Sequence, residues 1–339
     1  MTQPLDETDK ALVAEVQRQF PMDHRPFQIL GLKLGISEQQ CLERMTRLKA
    51  GGVVREVTAH FDARALGYRG CLVVMKVDPA HVDEAAGVIG RHPGVWHCET
   101  RRDAFNLWFA VGVSPRDSID QVVRILHTLS RADETLRLPR VRLYKAAGGG
   151  DAPRLEASLD AQEASEDLAA APPLLSDGDI RFIRVVQEDL PLLEIPYAVW
   201  AAQAETAEQD LFGWMRKMAY LGSMRRFAAV LDPRETRRRF TETVVWDVPG
   251  PRVDEAGERI AAFRDISHCS RRPTYPSWPY ALLTTLQTAS PSAAMETLGR
   301  IGQAVGGLPN KRLSCVKEHK HARLRYFPVE LEAWQADAG

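Results

Sequence analysis

The chain is short of the features that mark most specialised protein classes. Its five cysteines (Cys41, Cys71, Cys98, Cys269 and Cys315) are odd in number and scattered, with no C-x-x-C pair among them. That pattern argues against a disulfide framework and against a structural zinc site, and no other convincing metal-ligand spacing is present. No apolar run approaches the ~20 residues needed to span a bilayer. An excess of either charge is missing too: 44 Lys and Arg against 45 Asp and Glu leave a net charge of −1. No global field therefore draws the protein to nucleic acid or to an anionic membrane. The opening stretch, Met1 to Lys10, is polar and acidic, unlike a secretory signal. These absences favour a reducing, cytoplasmic setting. What remains is the balance of a globular protein, 45% apolar and 26% charged, in 339 residues that allow two or more domains.

The chain also repeats itself. Shifted by 170 residues, Leu5 meets Leu175, Asp9 meets Asp179, Pro21 meets Pro191, Pro26 meets Pro196, Met45 meets Met215 and Asp62 meets Asp232. After one inserted residue His97-Cys98 meets His268-Cys269, and later Leu138-Pro139 meets Leu308-Pro309. The period is a whole domain and not a solenoid unit. Residues 146–174, rich in Ala, Gly, Pro, Asp and Glu, have the composition of a flexible tether that lets the copies pack as a pseudo-dimer.

Each copy reads in two parts. In the first, apolar residues at helical spacing mark three helices, over Glu7 to Gln19, Phe27 to Leu34 and Glu38 to Ala50, with Pro21 and Pro26 breaking the chain between the first two. Ser37 stands ready as an N-cap, and Val53 to Thr58 reads as a wing strand. The second part alternates strand, helix, two strands, helix and strand. Its closing strand is expected at Val141 to Lys145 in copy one, and as one long strand, Arg312 to Phe327, in copy two. The expected fold class is α+β: a tandem repeat of a winged helix-turn-helix and a ferredoxin-like βαββαβ domain. The boundaries are 1–60, 61–145, linker 146–174, 175–230 and 231–330.

The motifs that carry chemistry sit at the central hairpins. Copy one reads His97-Cys98-Glu99-Thr100-Arg101-Arg102, then Phe105-Asn106-Leu107-Trp108-Phe109. Copy two reads Ser267-His268-Cys269-Ser270-Arg271-Arg272-Pro273, then Trp278-Pro279-Tyr280. Arginines pair carboxylates, aromatics offer a flat face, and a histidine can ligate iron or move a proton. Such a set suits a flat polyanion. The expected catalytic residues are His97 or His268. The expected binding residues are Arg101, Arg102, Asn106, Trp108, Arg271, Arg272, Trp278 and Tyr280, joined by Lys317, His319 and Arg323 on the last strand. Lys317, His319, His321, Arg323 and Arg325 share one parity and are expected on one face of that strand. The other histidines, His127 among them, read as incidental.

The architecture resembles the Lrp/AsnC family of transcription regulators, down to Leu5-Asp6-x-x-Asp9 and Gly35-Ile36-Ser37. DNA binding is the alternative that this resemblance implies. Gln39, Gln40, Arg44 and Arg47 of copy one permit it. The matching helix of copy two, with Glu208, Asp210, Phe212 and Trp214, speaks against it.

The paired hairpin motifs, with Leu138-Pro139, Leu308-Pro309 and Arg325-Tyr326-Phe327, are similar to those of the siroheme decarboxylases, over nearly the whole chain outside the linker. That resemblance implies removal of carbon dioxide from the C12 and C18 acetates of siroheme. The product is 12,18-didecarboxysiroheme, in a route to heme d1 or in an alternative heme pathway. It implies siroheme as substrate, no required cofactor and no bound metal. The implied partners are a second copy or further homologous subunits, with neither DNA nor membrane among them. Two positions depart from the family pattern: Ser270 stands where it has Tyr, and Ala281 where it has Asn. His and Asn of the loop before copy two's first strand are missing as well, and the loop carries Arg237-Arg238-Arg239 instead. Copy two is therefore open to being a degenerate or regulatory site, with weak activity expected of the chain alone.

Overall fold

The computed structural model describes residues 5–146, 175–231, 240–331 and 333–334. The expected tether, apart from Ala146, and the run Arg237-Arg238-Arg239 lie outside the described residues. Copy one runs α1 (Glu7–Arg18), α2 (Pro26–Leu34), α3 (Glu38–Ala50), β1 (Val54–Phe61), β2 (Arg69–Lys76), α4 (Val82–Arg91), β3 (Val95–Arg101), β4 (Leu107–Val113), α5 (Ile119–Ser130), β5 (Glu134–Leu138) and β6 (Arg142–Lys145). Copy two runs α6 (Asp177–Val186), α7 (Pro196–Gln203), α8 (Glu208–Tyr220), β7 (Met224–Leu231), β8 (Phe240–Asp247), α9 (Val253–Ala261), β9 (Ile266–Arg271), β10 (Tyr280–Thr288), α10 (Pro291–Ala304), β11 (Asn310–Leu313) and β12 (Cys315–His321).

These elements form two compact units, and each draws on both copies: residues up to Leu66 with 175–231, and residues from Gly67 to 146 with 240–334. In the first unit, helix starts are set by local hydrogen bonds. Asp6 caps α1 and Ser176 caps α6, each in a reciprocal box with the Asp three residues on. Ser37 caps α3 in the same way with Gln40. Gly35 ends α2 at φ 68°, a left-handed position suited to glycine.

The expected wing is corrected here. β1 pairs antiparallel with β7, so the strand of each copy uses the other copy as its partner and forms no hairpin of its own. The cross-copy bonds Phe20 N→Phe227 O and Leu190 N→Val57 O, both 2.8 Å, repeat one contact from the two sides. Phe20, Phe27, Tyr197, Trp200 and Phe227 fill the space beneath the ribbon, most pairs edge to face and Tyr197 tilted against Phe227.

The second unit holds two five-stranded sheets, β12-β3-β4-β2-β5 and β11-β8-β10-β9-β6. Each is a four-stranded ferredoxin-like sheet with one strand of the other copy added at its edge. This corrects two expectations. Copy one's own sheet is closed by β5, whereas the segment expected to close it, β6, pairs with β9 of copy two. The long final strand of copy two is two strands: β11 completes its own sheet on β8, and β12 crosses to β3 of copy one. On one face of each sheet the helices cover an apolar core. Cys71, Val73, Met75, Phe109, Val111 and Leu126 belong to the first core, and Trp246, Ile260, Ile266, Leu282, Leu286 and Ile301 to the second. Cys98 and Cys269 are small buried fillers of these cores. Gly257 of α9 lets Tyr144 of β6 lie against the helix, since a Cβ there would meet the ring at 2.5 Å.

Candidate functional site

On β3, alternation sends Cys98 to the helix side and His97, Glu99 and Arg101 to the other face. That second face is buried as well: His97 is 2%, Glu99 5% and Arg101 6% exposed. Arg101 is used completely. Its Nε donates to Glu99 Oε1 at 2.6 Å, its Nη1 donates to the Leu313 carbonyl at 2.7 Å, and its guanidinium lies 4.7 Å from the centre of the Trp108 ring. His97 Nε2 rests 3.3 Å from Glu99 Oε2, and its Nδ1 lies 3.4 Å from Nδ1 of His321 on β12. Burial pushes the Glu99 carboxyl up, but the neighbouring Arg101 charge, the His97 ring and the Cys315 thiol outweigh it and hold it at about 2.

Copy two repeats the histidine–arginine pair with a different group between them. His268 Nε2 lies 2.9 Å from Ser270 Oγ, Arg272 Nε donates to the same oxygen at 3.1 Å, and Arg272 Nη1 donates to the Leu138 carbonyl at 2.7 Å. Each arginine thus grips the last residue of a strand of the other copy, Leu313 of β11 or Leu138 of β5. The group between histidine and arginine is a carboxylate in copy one and a hydroxyl in copy two. His268 is 0% and Arg272 2% exposed.

The loop after Arg272 reaches across to copy one. Tyr275 donates its hydroxyl to the Arg137 carbonyl at 2.6 Å, and Ser277 bonds Glu134. Trp278, 1% exposed, packs edge-on against Phe105, Trp108 and Tyr280 with ring centres 5.0–5.6 Å apart. Beside this loop opens a cleft of about 820 Å³ whose lining includes Arg124, His127, Thr135, Arg137, Pro139 and Tyr275. His127, on α5, is fixed by a 2.9 Å bond between its Nδ1 and Thr135 Oγ1. Pro139 and Pro273, both from the motifs singled out above, form part of the wall. A volume of this order accommodates a ligand the size of a macrocycle.

The remaining expected site residues are scattered. Asn106 spends its side-chain amide on the Val77 backbone, at 2.8 and 3.0 Å. Arg102 is exposed, and Arg271 sits 3.6 Å from Asp254. Lys317 and His319 both turn toward Asp83, at 3.0 and 3.6 Å. Here the shared face expected of Lys317, His319, His321, Arg323 and Arg325 is corrected. β12 carries register shifts between Cys315 and Lys317 and between Glu318 and Lys320, which break the alternation, and it ends at His321. Arg323 lies beyond it, half-buried. Sequence reasoning did not single out His127 and Arg124, which line this cleft. They sit in an ordinary amphipathic helix, and only the fold brings the Arg272–Trp278 loop against it.

The helix-turn-helix face offers little to DNA. Arg44 is bound by Asp6 and Asp9, and Arg47 by Asp9, at 2.7–2.8 Å. At the place of Arg44, copy two has Trp214, whose Nε1 donates to Asp179 at 2.8 Å.

Comparison with known proteins places this geometry. A family model described as the siroheme decarboxylase NirDL-like HTH domain matches residues 9–55 and 179–225, and one for an AsnC-like ligand binding domain matches 65–145 and 240–320. A siroheme decarboxylase of Hydrogenobacter thermophilus is 29% identical over 97% of both chains. The siroheme decarboxylase alpha subunit of Nitratidesulfovibrio vulgaris is 34% identical over 42% of this chain and 81% of its own. The crystal structure of the siroheme decarboxylase NirDL in co-complex with an iron-uroporphyrin III analogue superposes with a TM-score of 0.75, at 26% identity, covering 97% of this chain and 98% of that one. Two linked modules, each matching the same pair of domain models, and relatives that share one name lead to one conclusion: this chain belongs to the siroheme decarboxylase family.

Proposed function

We propose that the chain removes carbon dioxide from acetate side chains of siroheme, at C12 and C18, leaving 12,18-didecarboxysiroheme. The observation that carries this reading is the end-to-end match to a fused siroheme decarboxylase whose structure holds an iron-uroporphyrin analogue. The cleft beside the Arg272–Trp278 loop is the site we assign. Its volume, its arginines and its half-buried histidine support the assignment.

In each round the bond between the acetate methylene and its carboxylate breaks, carbon dioxide leaves, and one proton is taken up so that a methyl group remains. A proton added first to the ring carbon next to the one that bears the acetate leaves a conjugated iminium system that takes up the electron pair of the breaking bond. The exocyclic methylene so formed is protonated to methyl and the ring proton is given back, so one proton is taken up in all and no added cofactor is required. The protein's task is to hold carboxylates, exclude water and deliver the proton. Arg124 on α5 and Arg137 on β5, the latter steadied by Asp120, hold carboxylates, and His127, oriented by Thr135, supplies the proton. His268 and Arg272 act one layer behind, because they are fully buried and reach the cleft through Leu138 and the loop starting at Pro273. The cytoplasm, where thiols stay reduced, suits both the exposed Cys315 and an iron tetrapyrrole substrate.

Anaerobic mixing with siroheme should shift its Soret band and yield the didecarboxylated product by chromatography. His127→Gln should keep the Soret shift and lower turnover by about 10–100-fold. An unchanged spectrum together with retention of duplex DNA at physiological salt would sink the enzyme reading. An unchanged rate in His127→Gln would remove His127 as the proton donor. Turnover by the chain alone is expected to be weak and to rise when a homologous subunit carrying the family Tyr and Asn at the places of Ser270 and Ala281 is added.

A further inference from the structure

We propose that His97, His321 and Glu318 bind one divalent first-row metal ion, zinc-like in its coordination, where β12 joins β3. One donor atom from each residue lies within 4.8 Å of the other two. The two histidines approach through their Nδ1 atoms at 3.4 Å. Two metal–nitrogen bonds of about 2.0–2.1 Å opening at a tetrahedral angle set their nitrogens about 3.3 Å apart. As a hydrogen bond between neutral rings the same separation is long. The rings stand at 84° with centroids 5.6 Å apart, so their planes do not stack and their nitrogens converge.

A second layer is in place behind the first. The other nitrogen of His97 faces Glu99 Oε2 at 3.3 Å, and Glu99 is itself held by Arg101 Nε at 2.6 Å. A carboxylate behind a ligating histidine fixes the ring and its tautomer, which is how metal-binding histidines are ordinarily supported. Two nitrogens and one carboxylate oxygen leave a fourth position for water or a small anion.

The second copy serves as an internal control. Lys320 pairs with Cys98 as Lys145 pairs with Cys269, so the place of His321 is taken in copy one's strand by Ala146. Ser270 stands at the place of Glu99. At the corresponding places copy two has the buried histidine, His268, but Ala146 in place of the second imidazole and Ser270 in place of the supporting carboxylate. None of the three ligands lines the cleft assigned to substrate, so this site stands or falls apart from the decarboxylase reading.

The test uses the full chain, stripped by chelation and titrated with Co(II). One equivalent is expected, with the visible ligand-field bands of a tetrahedral nitrogen–oxygen site, and stoichiometric Zn(II) should displace it. His321 and Glu318 are exposed, so His321→Ala and Glu318→Gln should retain the circular dichroism and unfolding transition of the parent chain. Each should weaken Co(II) binding by about tenfold or more, and Glu99→Gln by about 10–100-fold. Absence of stoichiometric uptake by the parent chain, or uptake that His321→Ala leaves intact, overturns the proposal.

Discussion

Arg101 and Arg272 occupy equivalent places and make equivalent bonds to the far carbonyl, yet they stand in different electrical surroundings. Arg101 neutralises the buried Glu99 carboxylate, whereas at the same place Arg272 bonds the Ser270 hydroxyl, with the Leu138 carbonyl beyond it. Removing one partner of a buried ion pair strands the other charge, which costs more than losing bonds to neutral groups. Arg101→Met should therefore destabilise the chain by about 3–5 kcal/mol and Arg272→Met by about 1–3 kcal/mol, read from urea unfolding. Adding Glu99→Leu to Arg101→Met should recover part of the loss. Equal costs for the two single variants would show that Glu99 does not need Arg101 to stay ionised. The histidine–arginine hairpins were legible in the sequence because the repeat placed them in register. Their burial was not, because the cover comes from residues such as Leu313 and Trp278, far away along the chain. The approach of His321 to His97 was hidden for the same reason, since ligand spacing along a chain says nothing about strands that meet 224 residues apart.

Helices were the most readable elements. α3 begins and ends where its cap and its two glycines place it, because apolar spacing and N-cap chemistry are local properties. The equivalent helix of copy two, α8, starts after Ala207, which offers no side-chain cap, although Asp210 waits at the third position. Ala207→Ser should complete the box already seen at Ser176 and Asp179, and raise stability by about 0.5–1 kcal/mol in thermal or chemical unfolding. A neutral or negative result would mean that the first turn of α8 is held by packing alone. Most strands were recognised as strands and the central hairpins were paired correctly, but β5 was passed over and the edge strands were given the wrong partners. Alternation reports which residues face a core, and it is silent on which neighbour supplies the hydrogen bonds. So β1 was read as a wing and β6 as a closing strand. β12 was merged with β11 because the single break between them, at Ser314, carries no turn residue strong enough to announce it.

For the molecule as a whole, the exchange of β6 and β12 ties the copies together without help from the covalent link. Separately produced segments 1–146 and 175–339 should associate on mixing and co-elute as one species in size-exclusion chromatography. Each alone would expose an unfilled sheet edge and should aggregate or remain partly unfolded. Independent, well-folded halves that ignore each other would contradict the exchange. Curated relatives named as alpha and beta subunits, each matching less than half of this chain, show that the two modules also occur apart.

The same exchange sets a timetable for synthesis. When copy one has left the ribosome, β3 still presents a bare edge and β6 has nowhere to dock, since β9 is more than a hundred residues from being made. β12, near the end of the chain, is what finally covers that edge. Nascent chains of this protein therefore carry an open, sticky flank from the time β3 emerges until β12 does, and they are vulnerable to pairing with neighbours throughout that interval.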